Sequence, residues 1–304
     1  MAGNGHGDTT KAILYAFLAN LGLAIAKTGA AIYTGSGSMM AEAIHSFADC
    51  GNQILLFIGL KQSEKPADEK HPLGYGKVTY FWSFIVAIML FSMGGLYSVY
   101  EGWHKLHDPG ELNQIWVALV VLGFGIILES FSLYGALKVV KAIRKDKPFW
   151  SWFKNTRNAE LVVILGEDTA ATIGLAIAFV FVSIAGVTGN PIYDAIGSIC
   201  IGVILLLISV FIGWRIKSLI VGRSAEPELR ELIDSIIDKD DSIEQLLNSI
   251  TMQLGPDIML AAKLKMKVGL SIEEAVKHIN DLEVEIKKQV PTVKWCFMEP
   301  DFKV

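Results

Sequence analysis

The sequence has little charge and almost no cysteine. Charged residues make up 19% of its 304 positions against 52% hydrophobic residues, with a formal net charge of -4. An ordinary soluble domain carries about 25% charged residues, so a purely soluble chain is excluded. The three cysteines, Cys50, Cys200 and Cys296, are far apart and form no C-x-x-C pair, which rules out a disulfide framework and a thiolate zinc cage. No G-x-x-x-x-G-K-[ST] loop is present to cradle ATP, and no H-E-x-x-H helix is present to hold a hydrolytic metal. Basic residues are never dense enough to neutralise a run of phosphates, so nucleic acid is not an expected partner.

What charge there is lies unevenly. The last 81 residues, from Ser224, hold 16 acidic and 10 basic side chains, leaving 15 acidic and 17 basic in the first 223. The division predicts a membrane domain over 1–223 and a small polar domain over 224–304. Six apolar segments reach the roughly 20 residues a span needs: 12–34, 39–60, 78–100, 115–140, 159–187 and 192–214. The stretch before the first carries one lysine and no small-residue cleavage site, so that segment is read as a retained helix. Fourteen lysines and arginines follow spans two, four and six, whereas Lys105 alone lies on the other side. This asymmetry predicts cytoplasmic termini, and the composition suits a bacterial inner membrane, with an organelle membrane left open.

Beyond Arg223 the pattern reads α-β-β-α-β. A helix over 228–239 is expected to present Leu232, Ile233, Ile236 and Ile237 on one face. Strands follow at 243–252 and 258–268, then a helix to Gln289 opened by a capping box at Ser271–Glu274, then a strand at 293–298. That order suits a two-layer α+β domain.

Ionisable residues inside spans are costly and mark function. Span two holds Glu42, His45 and Asp49, of which Glu42, nearer the span end, is expected to line an entrance. His45 and Asp49, four residues apart, lie one helical turn from each other and offer half of a four-coordinate metal site. Asp168 in span five is the natural partner. Glu167, about 100° round the helix, is a ligand or an outer, proton-carrying group. Glu129 is either a buried partner for Lys27 or a ligand or proton relay, and Asn20 is a further polar candidate in span one. In the loop after span two, Asp68 and His71 form a candidate second site or simply a solvated turn. His104, His107 and His278 are expected on the surface.

The stretch Ala41–Asp49 (AEAIHSFAD), the loop His71–Tyr75 (HPLGY), six spans and a C-terminal domain ending in Glu299-Pro300-Asp301 together resemble the cation diffusion facilitator family of proton-coupled zinc and divalent-metal exporters. Span five (ILGEDTAA from Ile164), Tyr75 and Glu129 are similar to the branch that contains the mitochondrial zinc transporter. The resemblance implies a homodimer in the lipid bilayer, a ferredoxin-like cytoplasmic domain that helps dimerise, and protons as counter-ion. It also implies a tetrahedral transport site with two ligands from span two and two from span five. His45, Asp49 and Asp168 match that site, but Ile164 stands where the family usually has His, so Glu167, Glu129, Asn20 or a water takes the fourth place. Zinc is the first choice of cargo, and an oxygen-richer site admits Mn, Fe, Co or Cd. Tyr75 stands where a loop His is common, and the C-terminal domain, with His278 and Cys296, is poor in ligands. A metal-dependent hydrolase, a channel and a metal sensor are the competing classes.

Overall fold

The computed structural model describes residues 5–108 and 114–302. Seven helices come first: α1 (Gly5–Thr34), α2 (Gly37–Ser63), α3 (Val78–His107), α4 (Ile115–Arg144), the short α5 (Phe149–Asn155), α6 (Ala159–Thr188) and α7 (Ile192–Gly222). No proline interrupts the interior of any of them, so the backbone ladders run unbroken through the apolar stretches. Within the described residues, α3, α4, α6 and α7 are long and apolar enough to cross a membrane. The other two expected spans, α1 and α2, are helices of 30 and 27 residues. Along α4, Trp116, Val120, Phe124, Ile127, Phe131 and Tyr134 form an exposed stripe at helical spacing, the face a lipid environment would cover.

The chain divides into two compact units. The first takes in residues up to Ile58, Trp82–Lys145 and Glu160–Arg215; the second takes in Gly59–Phe81, Asp146–Ala159 and the chain from Ile216 onward.

In the first unit, α1 turns into α2 through Gly35, whose φ of +70° suits glycine. The new helix is capped from a distance. Asp194, at the start of α7, accepts hydrogen bonds from Ser36 Oγ at 2.7 Å, Gly37 N at 2.5 Å and Ser38 N at 3.2 Å. A carboxylate on the exposed amides of a helix N-terminus satisfies donors that would otherwise be orphaned and complements the helix dipole. Lys105, near the end of α3, donates to the Gly35 carbonyl of the same turn.

Helices α3 and α7 meet backbone to backbone. A β-carbon at Gly102 would stand 2.6 Å from Ile199 Cγ1 and 2.7 Å from the Ala195 carbonyl oxygen, and one at Gly202 would stand 2.8 Å from the Gly95 carbonyl oxygen. Small residues at such crossings let membrane helices pack closely. Leading into these contacts, the ladder of α3 widens to a π-helical stretch over Leu90–Leu96, which includes Gly95.

In the second unit, α8 (Pro227–Asp238) is followed by strands β1 (Ile243–Leu254) and β2 (Asp257–Met266), helix α9 (Ile272–Gln289) and strand β3 (Val293–Pro300). The expected order holds, although β1 runs two residues further and β2 starts one earlier and stops two earlier than the hydrophobic pattern suggested. The hairpin explains the join: Leu254 pairs with Asp257, and Gly255 takes φ +70° at the first central position, the glycine preference of a type II′ turn. The sheet order is β1-β2-β3, antiparallel then parallel, with β2 central.

Ile233, Ile236 and Ile237 of α8 and Leu282 and Ile286 of α9 pack on Ile258, Leu260, Ala262 and Leu264 of β2. Leu232 departs from expectation. It is 37% exposed, and Leu229, one turn before Ile233, takes its place against the core. The capping box forms: Ser271 Oγ accepts from Glu274 N, and the Glu274 carboxylate accepts from Ser271 N. Within this unit the loop before α3 and the first turn of that helix dock on the hairpin: Tyr80 Oη accepts from Gly255 N at 3.0 Å, and Gly76 leaves no room for a β-carbon against Leu254.

The α3–α7 crossing yields a test. Gly102→Val forces two backbones apart and is expected to cost about 1–3 kcal/mol or more, lowering the thermal midpoint of the full chain in detergent. Gly135→Ala, where nothing lies within 4 Å of the added carbon, should leave it unchanged or raise it slightly.

Candidate metal centre

Helical spacing places Glu42, His45, Ser46, Asp49, Asn52 and Gln53 along one side of α2. That side faces inward: Glu42, His45 and Asn52 are wholly buried, and Ser46 is nearly so. His45 Nε2 lies 3.6 Å from Asp49 Oδ2, outside hydrogen-bond range. Neither ring nitrogen of His45 has a hydrogen-bond partner among the described residues, nor does Asp49 Oδ1. Buried polar atoms left unpaired cost about 1–3 kcal/mol each, so an imidazole and a carboxylate in this condition are donors not committed to the protein itself. The Nδ1 edge of His45 faces the π-helical turn of α3, where a β-carbon at Gly94 would stand 3.6 Å away. Such turns are often found at functional sites.

Helix α6 supplies the facing carboxylates. A cavity of about 30 Å³ is bordered by Asp49, Glu129, Glu167 and Asp168, together with Asn20 and Ser132. One ion or a water or two fits such a volume. Glu167 and Asp168, adjacent and about 100° apart round the helix, both border the cavity. Asn52 Nδ2 donates to Glu167 Oε1 at 2.5 Å, and Ser132 Oγ donates to Asp168 Oδ2 at 3.1 Å. Asp49, Asp168, Glu167, Glu129 and Asn20 are therefore brought together. His45 is one turn away and does not border the cavity, and Ile164 takes no part in it. Among the described residues, no three His, Cys, Asp or Glu side chains stand close enough to form a finished metal cage.

One of the two readings of Glu129 is not realised. Lys27, fully buried, does not pair with Glu129. Its Nζ lies 3.3 Å from Glu42 Oε2 and donates to Ser46 Oγ at 2.7 Å. Glu42, expected at an entrance, is instead fully buried as the partner of that lysine. The reason is register: the turn at Gly35 folds α1 back along α2, so residues 27 and 42 meet. Ser46, Asn52, Gln53 and Ser132 were missed as neighbours of the site. Each lies three or four residues from a candidate carboxylate on its own helix, and that spacing was the available signal.

In the loop, Asp68 and His71 are close, with His71 Nδ1 at 3.4 Å from Asp68 Oδ1. The carboxylate is already engaged, accepting from Tyr75 Oη at 2.7 Å and from the amides of His71 at 2.7 Å and Lys70 at 3.0 Å. These bonds, the Tyr75 hydroxyl foremost, hold the Asp68 carboxyl below its ordinary range, and the same bond pushes the Tyr75 phenol up. The geometry is that of a stitched turn, reinforced by the His71 and Tyr75 rings, 4.2 Å apart. In the second unit, burial pushes the Cys296 thiol up to about 11, so it stays protonated near neutrality and is a poor ligand there.

The loop predicts a titration result. The bonds to Asp68 favour its ionised form and are lost as pH falls through its depressed pKa. Tyr75→Phe should therefore move the Asp68 carboxyl titration to higher pH, read by carbon-13 NMR of the labelled full chain. An unmoved titration would refute the stitch.

Comparison with known proteins places this geometry. Residues 13–221 match the model of the cation efflux transmembrane domain. The chain is 32% identical over 254 residues to the protein named proton-coupled zinc antiporter SLC30A9, mitochondrial, of Mus musculus, covering 83% of this chain and 44% of that protein. It is 32% identical over 225 residues to metal tolerance protein C4 of Arabidopsis thaliana, covering 73% of this chain and 49% of that one. It is 24% identical over 284 residues to magnetosome protein MamB of a Magnetospira strain, covering 93% and 91%. The chain thus spans about half the length of the first two relatives. A matched transmembrane domain, apolar helices and carboxylates buried at their centre agree: the chain is a membrane protein of the cation efflux family, the cation diffusion facilitators, a family of metal transporters and not of enzymes.

Proposed function

We propose that the chain exports divalent metal cations, zinc first, in exchange for protons. The observation that carries this reading is the small cavity between α2 and α6, bordered by Asp49, Glu167 and Asp168, with the unpartnered imidazole of His45 one turn away. His45, Asp49 and Asp168 take the metal, and Glu167 supplies the fourth place opposite Ile164. Glu129 and Asn20 stand by as relay or alternative ligands. The Asp68 and His71 loop is a structural turn with at most a transient metal.

Neutral imidazole and ionised carboxylate bind metal, whereas protonated ones do not, so metal and proton compete for the same atoms. Loading from the cytoplasm releases protons, a rocking of the bundle turns the site outward, and incoming protons expel the metal. The names of the zinc antiporter relatives support zinc and proton exchange. The oxygen-rich wall of the cavity favours a second reading in which Mn, Fe or Co is carried by the same cycle.

The architecture belongs to the same proposal. α1 and α2 complete six spans over residues 1–223, and both termini are cytoplasmic. Residues 224–304 form a ferredoxin-like domain that packs two copies into a homodimer, and the setting is a bacterial inner membrane. The polar stripe of α2 and the basic loops support this arrangement.

In proteoliposomes offered Zn, Mn, Fe, Co or Cd, wild-type flux should rise with an imposed pH gradient. His45→Ala and Asp49→Ala should drop it to the protein-free background while the folded protein persists in size-exclusion chromatography. Full zinc flux in either variant would refute the site. Selective Mn or Fe flux would mean that Ile164 and the added carboxylates have retuned the metal.

A further inference from the structure

Glu42 is a buried carboxylate that the proposed transport site leaves unused. Its Oε2 lies 3.3 Å from Lys27 Nζ, while its Oε1 has no hydrogen-bond partner among the described residues. That free oxygen points at Gly174 of α6, where any β-carbon would collide with it. Three residues further along the same face of α2, both nitrogens of His45 are also unpartnered. A carboxylate oxygen and an imidazole one turn apart, both desolvated and both with free lone pairs, are a pair of donors for a borderline divalent cation.

A cation is already seated there, tethered to the chain. The Lys27 ammonium is fully buried and held by a carboxylate and a hydroxyl, Glu42 and Ser46. Its stem has a second landing. A β-carbon at Gly125 of α4 would stand 3.6 Å from Lys27 Cε, and Glu129, one turn beyond Gly125, borders the metal cavity. The described residues give Glu129 no salt bridge. The Leu175 methyl carbons lie nearer still to the β-carbon position at Gly125, at 3.2 and 3.5 Å, so a movement of the lysine stem along α4 towards Glu129 has to displace the Leu175 side chain.

We propose that Glu42 and His45 form a second cation subsite, one turn along α2 from Asp49, and that Lys27 is its resident tethered cation, displaced towards Glu129 when the divalent ion arrives. The proposal rests on the carrier reading above. Exchanging one cation for another keeps Glu42 compensated throughout, which matters because a buried charge left without a partner is strongly destabilising. It also gives release a driving step: the returning ammonium competes with the metal for Glu42, so the ion is not trapped in a well of carboxylates.

The test is calorimetric titration of Zn2+ into the purified full chain, beside zinc flux in proteoliposomes. Lys27→Met should bind Zn2+ about tenfold more tightly, the order of effect expected when groups around a metal site are changed. Its flux should show a lower half-saturating zinc concentration together with a lower maximal rate. Lys27→Arg, which keeps the charge, should restore the wild-type split, and Lys27→Met combined with Glu42→Gln, which removes both charges, should return the affinity to the wild-type value. Unchanged affinity in folded Lys27→Met would overturn the proposal and leave the pair a structural tie. Should that variant fail to fold, Ser46→Ala removes one of the two partners of the ammonium and should tighten zinc binding in the same direction; no tightening there would overturn the proposal equally. Wild-type protein without gradient-driven flux would instead refute the carrier reading, while the calorimetric comparison would still decide the subsite.

Discussion

An ionised side chain in a hydrocarbon core is tolerated only where something compensates it, and this constraint organises the membrane part of the molecule. Four carboxylates show three ways of meeting it. Asp194 is spent on the amides that open α2. Glu42 is held by Lys27. Asp168 and its neighbour Glu167 lean on single hydroxyl and amide donors from Ser132 and Asn52 and keep their remaining lone pairs towards a cavity. The first is a structural cap, the second is a charge pair that can exchange, and the third is a site that lacks a cation of its own. Function concentrates where compensation by the protein is least complete.

The glycines serve the same end by setting distances. Gly95, Gly102 and Gly202 bring α3 and α7 into backbone contact, whereas Gly125 and Gly174 leave room for the stem of Lys27 and the free oxygen of Glu42. The π-helical stretch of α3 contains Gly95 and also Gly94, which packs beside Leu205, Leu90 and His45. Tight packing at one crossing and space at another is what a bundle needs if rigid groups of helices are to move about a buried polar centre.

Much of this was legible in the sequence, for a physical reason. Along one helix the period of 3.6 is fixed, so His45 and Asp49 could be placed together on α2, and the two-residue alternation of Leu260, Ala262 and Leu264 marked the buried face of β2. The capping box at Ser271 was equally local. Contacts between helices depend on register and rotation, which no period reveals. Hence Glu129 was the only partner considered for Lys27, although Glu42 holds it, and whether Glu167 is a ligand or an outer group was left open. Leu232 was placed on the buried face of a helix whose stripe runs instead through Leu229, Ile233, Ile236 and Ile237. The π-helical turn over Leu90–Leu96 follows no period in the sequence.

The central claim is that a divalent ion sits between α2 and α6, held by carboxylates from both. The most direct measurement is anomalous diffraction at the zinc edge from crystals of the full chain grown with Zn2+. The account predicts a peak within about 2.0–2.2 Å of ligand atoms of Asp49 and Asp168, with the His45 nitrogen drawn to the same range. A peak confined to the loop at Asp68 and His71 or to the C-terminal unit, with none between the two helices, would contradict it.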